Sequence, residues 1–206
     1  SGVTACGGEP LTLLKAQTSS PQASRRSELW GKINPTAGDC TIAVATTGNV
    51  DGMVTISMET DNISAYDDVA GSTALSATPN VTISTGTNET IIDMLAGKCL
   101  GSSGSCTTTL TSGANQTLQK DTPYVSASID VRGATSTQAG ADGGIMSHTM
   151  GTDNYWALTA VALCPTAGCA AATSSVLSQV AGQVDSAFLS GGAVVHLGAV
   201  NAANVA

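Results

Sequence analysis

The chain has 206 residues, 42% of them hydrophobic but only 11% charged and 3% aromatic, with a formal net charge of −8. That length supports one sizeable core, while seven Lys and Arg in all are too few to neutralise a phosphate backbone, which argues against nucleic acid as a partner. No run of eighteen apolar residues occurs, so no helix long enough to cross a bilayer is expected, and no membrane insertion.

With so few aromatics, the core must be built from Val, Ile, Leu and Ala, and the surface from Ser, Thr, Asn, Gln and Gly. A Thr-rich surface suits strands better than helices. In chain order, short apolar or alternating runs occur at Leu11–Leu14, Thr41–Thr46, Met53–Met58, Val81–Thr85, Thr90–Leu95, Thr107–Leu110, Val125–Val131, Ile145–Met150 and Trp156–Leu163. Turn residues separate them, which is the pattern of an all-β antiparallel sandwich. Val125–Val131 alternates like a half-buried strand. Trp156–Leu163 is apolar at nearly every position and predicts a central strand buried on both faces.

Residues 166–190 break this rhythm and form a connector. Val176, Leu177, Val180, Val184 and Phe188 sit at helical spacing, but Gly182 and three valines leave a helix, a strand and irregular chain all open. Residues 191–206 then read as one more strand, separated from the sandwich of residues 1–165. Ala193, Val194, Val195, His196, Leu197, Ala199 and Val200 make this segment too apolar for a frayed terminus.

Six cysteines admit fifteen pairings. Cys99 with Cys106 and Cys164 with Cys169 would each close a small loop of turn residues, leaving Cys6 with Cys40. None has the C-x-x-C spacing of zinc or redox sites, and disulfides in this number indicate an oxidising, extracellular setting. A basic segment followed by an apolar one is absent at Ser1, so an exported chain is expected here in processed form. Four Asn-x-Ser/Thr sequons, at Asn62, Asn80, Asn88 and Asn115, make glycans a candidate modification.

Gly7-Gly-Glu-Pro-Leu-Thr-Leu-Leu14, Arg26-Ser-Glu-Leu-Trp30 and Asn34-Pro-Thr-Ala-Gly38 occur in one order, followed by Gly113-Ala-Asn-Gln-Thr117, Met146-Ser-His-Thr149 and Trp156–Leu163 with Pro165. This series resembles a family of secreted bacterial jelly-roll-type β-sandwich domains of unknown function, with the motifs GGxxLTLV, RxELW, NPPAG and WAxxAVxL. The resemblance spans about residues 3–165 and implies a cell-surface or exported sandwich, with no catalytic residues to carry over. In the family, a strand like Ala193–Asn204 precedes the segment corresponding to Val3–Gly8, so here the first strand stands last.

That strand can close its own domain, fill the sandwich of a neighbouring subunit, or belong to a tandem polypeptide. Donation to a neighbour gives a head-to-tail contact that propagates into a filament. The expected acceptor groove is lined by Val3, Leu11, Leu13, Trp156, Leu158 and Val161, and the expected partner is a second copy of the chain.

For acid–base chemistry only His148 and His196 are available. His148 is expected at a surface or in sheet packing, and His196 in interfacial packing. No G-x-S-x-G, H-E-x-x-H or P-loop pattern occurs. Asp39, Asp51, Asp61, Asp67, Asp68 and Asp142 read as solvated turn formers, and Trp30 and Trp156 as core, with a carbohydrate-stacking platform of Trp30 and Tyr66 as the alternative. No enzyme, cofactor or metal is expected. The chain reads as a secreted structural subunit of an extracellular filament, with a monomeric carbohydrate-binding or adhesive module as the alternative.

Overall fold

The structure, a computed structural model, describes residues 2–5, 8–20, 25–36, 41–46, 52–98, 109–125, 130–140 and 144–169, the side chains of residues 124, 125 and 130 excepted. The compact unit that contains them is Ser1–Ala170, with Ala171–Ala206 forming a separate unit. The connector, the terminal strand, Cys6, Cys40, Cys99, Cys106, Asp39, Asp51 and Asp142 lie outside the described residues.

Thirteen strands appear among them: β1 Gly2–Ala5, β2 Glu9–Pro10, β3 Thr12–Thr18, β4 Arg26–Gly31, β5 Ala43–Ala45, β6 Ile63–Ser76, β7 Asn80–Thr82, β8 Thr90–Lys98, β9 Leu110–Ser112, β10 Gln116–Val125, β11 Asp130–Ala139, β12 Ile145–Met150 and β13 Asn154–Pro165. All pairings are antiparallel. The fold is therefore an all-β antiparallel sandwich, as the turn-punctuated alternation implies.

A five-stranded sheet in the order β10-β11-β8-β13-β6 is its spine. One face carries Ile91, Leu95, Ala134, Trp156, Leu158 and Ala160, and packs on Val81, Ile83, Leu110, Met146 and Met150 of the β7-β12-β9 layer and its flanks. The other face is covered by the β3–β4 ladder. There the Ser27 hydroxyl lies 2.7 Å from the Met94 carbonyl and 2.8 Å from Thr159 Oγ1. β13 is consequently buried on both faces along nearly all its length. Its near-continuous apolar run is what burial on two sides requires.

Two sequence expectations need correction. Met53–Met58 forms no strand. Val54 and Ile56 are half-buried while Met53 and Thr55 are exposed, so the alternation survives as an extended segment without a ladder, with Val54 directly over Gly133. Val125–Val131 is not one strand either. Val125 and Asp130 are cross-strand partners, so that segment spans the link between β10 and β11.

The core contains a polar cluster that composition did not suggest. Asp93 and His148 are fully buried, with Asp93 Oδ2 2.7 Å from His148 Nε2. The Asp93 carboxylate also accepts from the Ser136 amide at 2.6 Å and the Ser136 hydroxyl at 3.0 Å. Of the two expectations for His148, sheet packing holds and a surface position does not, because it sits in the core bound to a carboxylate. Asp93 belongs to the middle sheet and His148 to the layer packed on it, so the cluster fixes how the layers face each other. Truncation at Asp93 would leave three buried polar groups without an acceptor. Asp93→Ala is expected to lower stability by about 3–5 kcal/mol, read as a shift of the urea midpoint.

Candidate functional site

The three-stranded sheet β2-β1-β5 stands apart from the spine in its dimensions, because its outer strands have only two and three residues. Val3 pairs with Val44, and Thr4 with both Ala43 and Pro10. The turn into β2 uses Gly8 at φ 104°, a conformation open to glycine and strained for other residues. The Leu11 amide then bonds the Val3 carbonyl at 2.9 Å. Glu9 ties this hairpin to the loop after β4. Its carboxylate accepts from Thr36 Oγ1 at 2.5 Å and pairs with Lys32 Nζ at 3.3 Å. The Thr36 hydrogen bonds, with Lys32 adding, hold the Glu9 carboxyl below its ordinary pKa.

Beside this sheet lies a cleft of about 350 Å³ lined by Val3, Pro10, Leu11, Trp30, Val44 and neighbouring small residues. Its wall is mostly apolar side chain. Trp30 reaches it from β4, and the indole Nε1 donates to Glu28 Oε2 at 2.8 Å, which sets the ring's orientation. The same carboxylate takes Arg26 Nε at 2.5 Å, so Arg26, Glu28 and Trp30 form a linked row on one face of β4. Trp30 is half-buried at the cleft rather than part of the main core. Tyr66 lies on the opposite side of β4, its hydroxyl packed where a side chain at Gly31 would stand, and burial pushes its pKa up.

Of the six residues expected to line an acceptor groove, Val3 and Leu11 meet in this cleft. Leu13 lies nearby on β3 as the cross-strand partner of Trp30 and is 41% exposed. The other three are elsewhere. Trp156 and Leu158 face the main core, and Val161, one register step away, is buried on the opposite face of β13. Val44 and Trp30 complete the cleft, and sequence reasoning did not select either for it. Trp30 had a signal, since one of only two tryptophans in a chain poor in aromatics marks a large apolar contact.

A second cluster sits at one end of the spine. Between Val161↔Val69 and Leu163↔Tyr66, Asp67 and Asp68 oppose the single residue Ala162, which is a β-bulge in β6. Asp68 turns back on the backbone, accepting from the Val69 and Ser84 amides at 2.8 and 3.0 Å. Asp67 instead meets Glu89 and Cys169, the carboxylate oxygens and Sγ all lying within 4.8 Å of one another. Both aspartates therefore lie within a strand, not in a turn. Cys169 is disulfide-bonded to Cys164 with Cα atoms 5.1 Å apart, the local pairing its spacing suggested, so it offers no thiolate to a metal. Asp61 is exposed, in the bend before β6.

Glu89 is 2% exposed. Its Oε2 accepts from the Gly86 amide at 2.6 Å, while Oε1 is enclosed without a hydrogen bond. Burial raises its pKa, and the Asp67 charge raises it further. The four sequon asparagines, Asn62, Asn80, Asn88 and Asn115, are all exposed. No helix among the described residues is long and apolar enough to cross a membrane. Comparison with protein-family models, curated proteins and solved structures finds no match to this chain.

A carboxyl whose folded pKa is raised stabilises the fold below its unfolded pKa, and that contribution is lost as pH rises through the folded value. Glu89→Gln keeps an acceptor for the Gly86 amide and removes the charge beside Asp67. It is expected to raise stability at pH 7 by roughly 1 kcal/mol, the size of one net hydrogen bond, and to leave stability near pH 4 unchanged. Urea titrations of both proteins at the two pH values check this.

Proposed function

We propose that the protein is a structural subunit of an extracellular filament, assembled head-to-tail when Ala193–Val200 of one copy enters the apolar cleft of the next. The observation that carries this reading is the cleft itself. It is lined by apolar side chains, and it lies beside a sheet whose outer strands are two and three residues long. Among the described residues β5 pairs only with β1, so one row of its main-chain groups is available to an added strand.

The tail supplies matching chemistry. Val194, Val195, Leu197 and Val200 are apolar and, apart from Leu197, β-branched, and no charged residue occurs between Gly191 and Ala206. Burial of each larger side chain would contribute about 1–3 kcal/mol, and ladder hydrogen bonds would set the register. Charge steering is not needed for such a joint. The low charge content of the chain, and its disulfide between Cys164 and Cys169, suit a polymer outside the cell.

A monomeric carbohydrate-binding or adhesive module is the second reading. The row Arg26–Glu28–Trp30 favours it, because an oriented indole beside a carboxylate and a guanidinium is a surface on which a sugar ring can stack and hydrogen-bond.

Negative-stain microscopy separates the two. The intact protein is expected to form fibres with a regular subunit repeat, and deletion of residues 191–206 to abolish them, with the assembly site restored to occupancy by a synthetic peptide of that sequence. Val44→Arg places a cation in the cleft. It is expected to keep the thermal unfolding transition within a few degrees of the parent and to lose fibres. Monodisperse globules from the intact chain would refute assembly.

A further inference from the structure

The sequons acquire a pattern once the spine is assembled. Its strands β10, β8 and β6 run in the same direction, each separated from the next by one antiparallel neighbour. Their first residues lie at one end of the sheet, as the chain of partners Gln116↔Gln138↔Ile91↔Ala162 and the adjoining Thr90↔Leu163 show. Asn115 immediately precedes β10, Asn88 stands two residues before β8, and Asn62 immediately precedes β6. Three sequons separated by 26 and 27 residues in sequence thus occupy alternate strand starts at one pole. With strands about 4.8 Å apart, neighbouring acceptors are about 10 Å apart across the sheet.

Each of the three is chemically available. All are exposed, and none of their side-chain amides makes a hydrogen bond among the described residues, whereas the fourth sequon, Asn80, donates its amide to the Thr78 carbonyl at 3.1 Å. Asn62 and Asn115 adopt φ 59° and 62°, left-handed turn conformations. Turn geometry alone accounts for asparagine at those two positions. It does not account for Asn88, nor for a Ser or Thr two residues after each of the three. The controls are within the chain. Asn34 is exposed at φ 52° but is followed by proline, and Asn154 is 4% exposed and lies in no sequon.

We propose that Asn62, Asn88 and Asn115 are N-glycosylated, giving the protein one glycan-bearing pole. The donor class is a lipid-linked oligosaccharide, transferred by a membrane-bound transferase of the producing cell. In the transfer, asparagine Nδ2 forms a bond to the anomeric carbon of the sugar as the bond from that carbon to the lipid diphosphate breaks. The diphosphate leaves with the bonding electron pair, and the amide gives up one proton to the transferase base. The Cys164–Cys169 loop closes β13 at the same pole, so the chain leaves the described residues there for its connector. Glycans at the three sites would stand at the strand starts on that pole, beside the Cys164–Cys169 loop.

This inference rests on export, one part of the filament reading, and is independent of assembly. The test is peptide mapping by mass spectrometry of the full chain recovered from the native producer, in separate extracellular and cell-lysate fractions. Extracellular protein is expected to carry sugar mass on the peptides containing Asn62, Asn88 and Asn115, with Asn34 bare and Asn80 modified to a lesser extent. The triple variant Asn62→Gln, Asn88→Gln, Asn115→Gln is expected to lose the excess over the chain mass of 20.3 kDa, apart from any contribution of Asn80. Extracellular chain unmodified at the three sites would overturn the glycans and leave the filament reading standing. Chain found only in the lysate would overturn export and both proposals with it.

Discussion

Double-sided burial of β13 is the constraint on which the rest of the structure depends. A strand that is apolar at nearly every position cannot lie on a solvent-facing sheet, because alternate side chains point to opposite faces. It needs one partner layer for Trp156, Leu158 and Ala160 and another for Ala157, Thr159 and Val161. The β7-β12-β9 layer meets the first need and the β3–β4 ladder the second. Two polar contacts then set the position of each cover. Asp93 and His148 join the spine to β12, and Ser27 meets Thr159 and the Met94 carbonyl under β4. Apolar packing alone is non-directional, whereas a buried hydrogen bond has one geometry and a high cost if it is unmade.

The same constraint explains which strands are legible in the sequence. Central strands must satisfy two faces or a strict alternation, so β8, β12 and β13 stand out as apolar runs. Equally central, β11 buries Arg132, Thr135, Ser136 and Gln138 and does not stand out. β6 and β10 are the outer strands of the spine, where one side of the ladder faces no neighbour in that sheet. There Asp67-Asp68, Gly71 and Pro123 are tolerated, and these residues read as turns. Fourteen residues of β6 were therefore invisible as a strand, and its bulge gave Asp67 the appearance of a turn former. The Met53–Met58 run errs in the opposite way. Its alternation reports that one side is covered, and coverage by packing leaves the same trace as coverage within a ladder.

Polar residues in the core were less legible than their positions warranted. Ile91, Asp93 and Leu95 share one phase of β8, and Met146, His148 and Met150 share one phase of β12. A carboxylate and an imidazole each in the inward phase of an apolar strand require partners, and the simplest partner for each is the other. The cleft was half legible for a different reason. Val3 and Leu11 follow from their place in the first hairpin, but Val44 reaches it through its pairing with Val3 and Trp30 through its pairing with Leu13, separations that no local pattern encodes.

The distribution of weak and strong sheets bears on how the molecule is used. The five-stranded spine, with its keyed core and a disulfide at one end, is held by long ladders. The β2-β1-β5 sheet is the opposite case, since two- and three-residue outer strands contribute few ladder bonds and flank an open apolar cleft. An isolated ribbon of that size is marginal in water. An added strand would supply what it lacks, with main-chain partners along an open edge and side chains for the cleft. Coupling of this kind makes the joint and the local fold mutually dependent. A filament built so resists dissociation at each joint to the extent that opening it also exposes the apolar wall of Val3, Leu11 and Trp30.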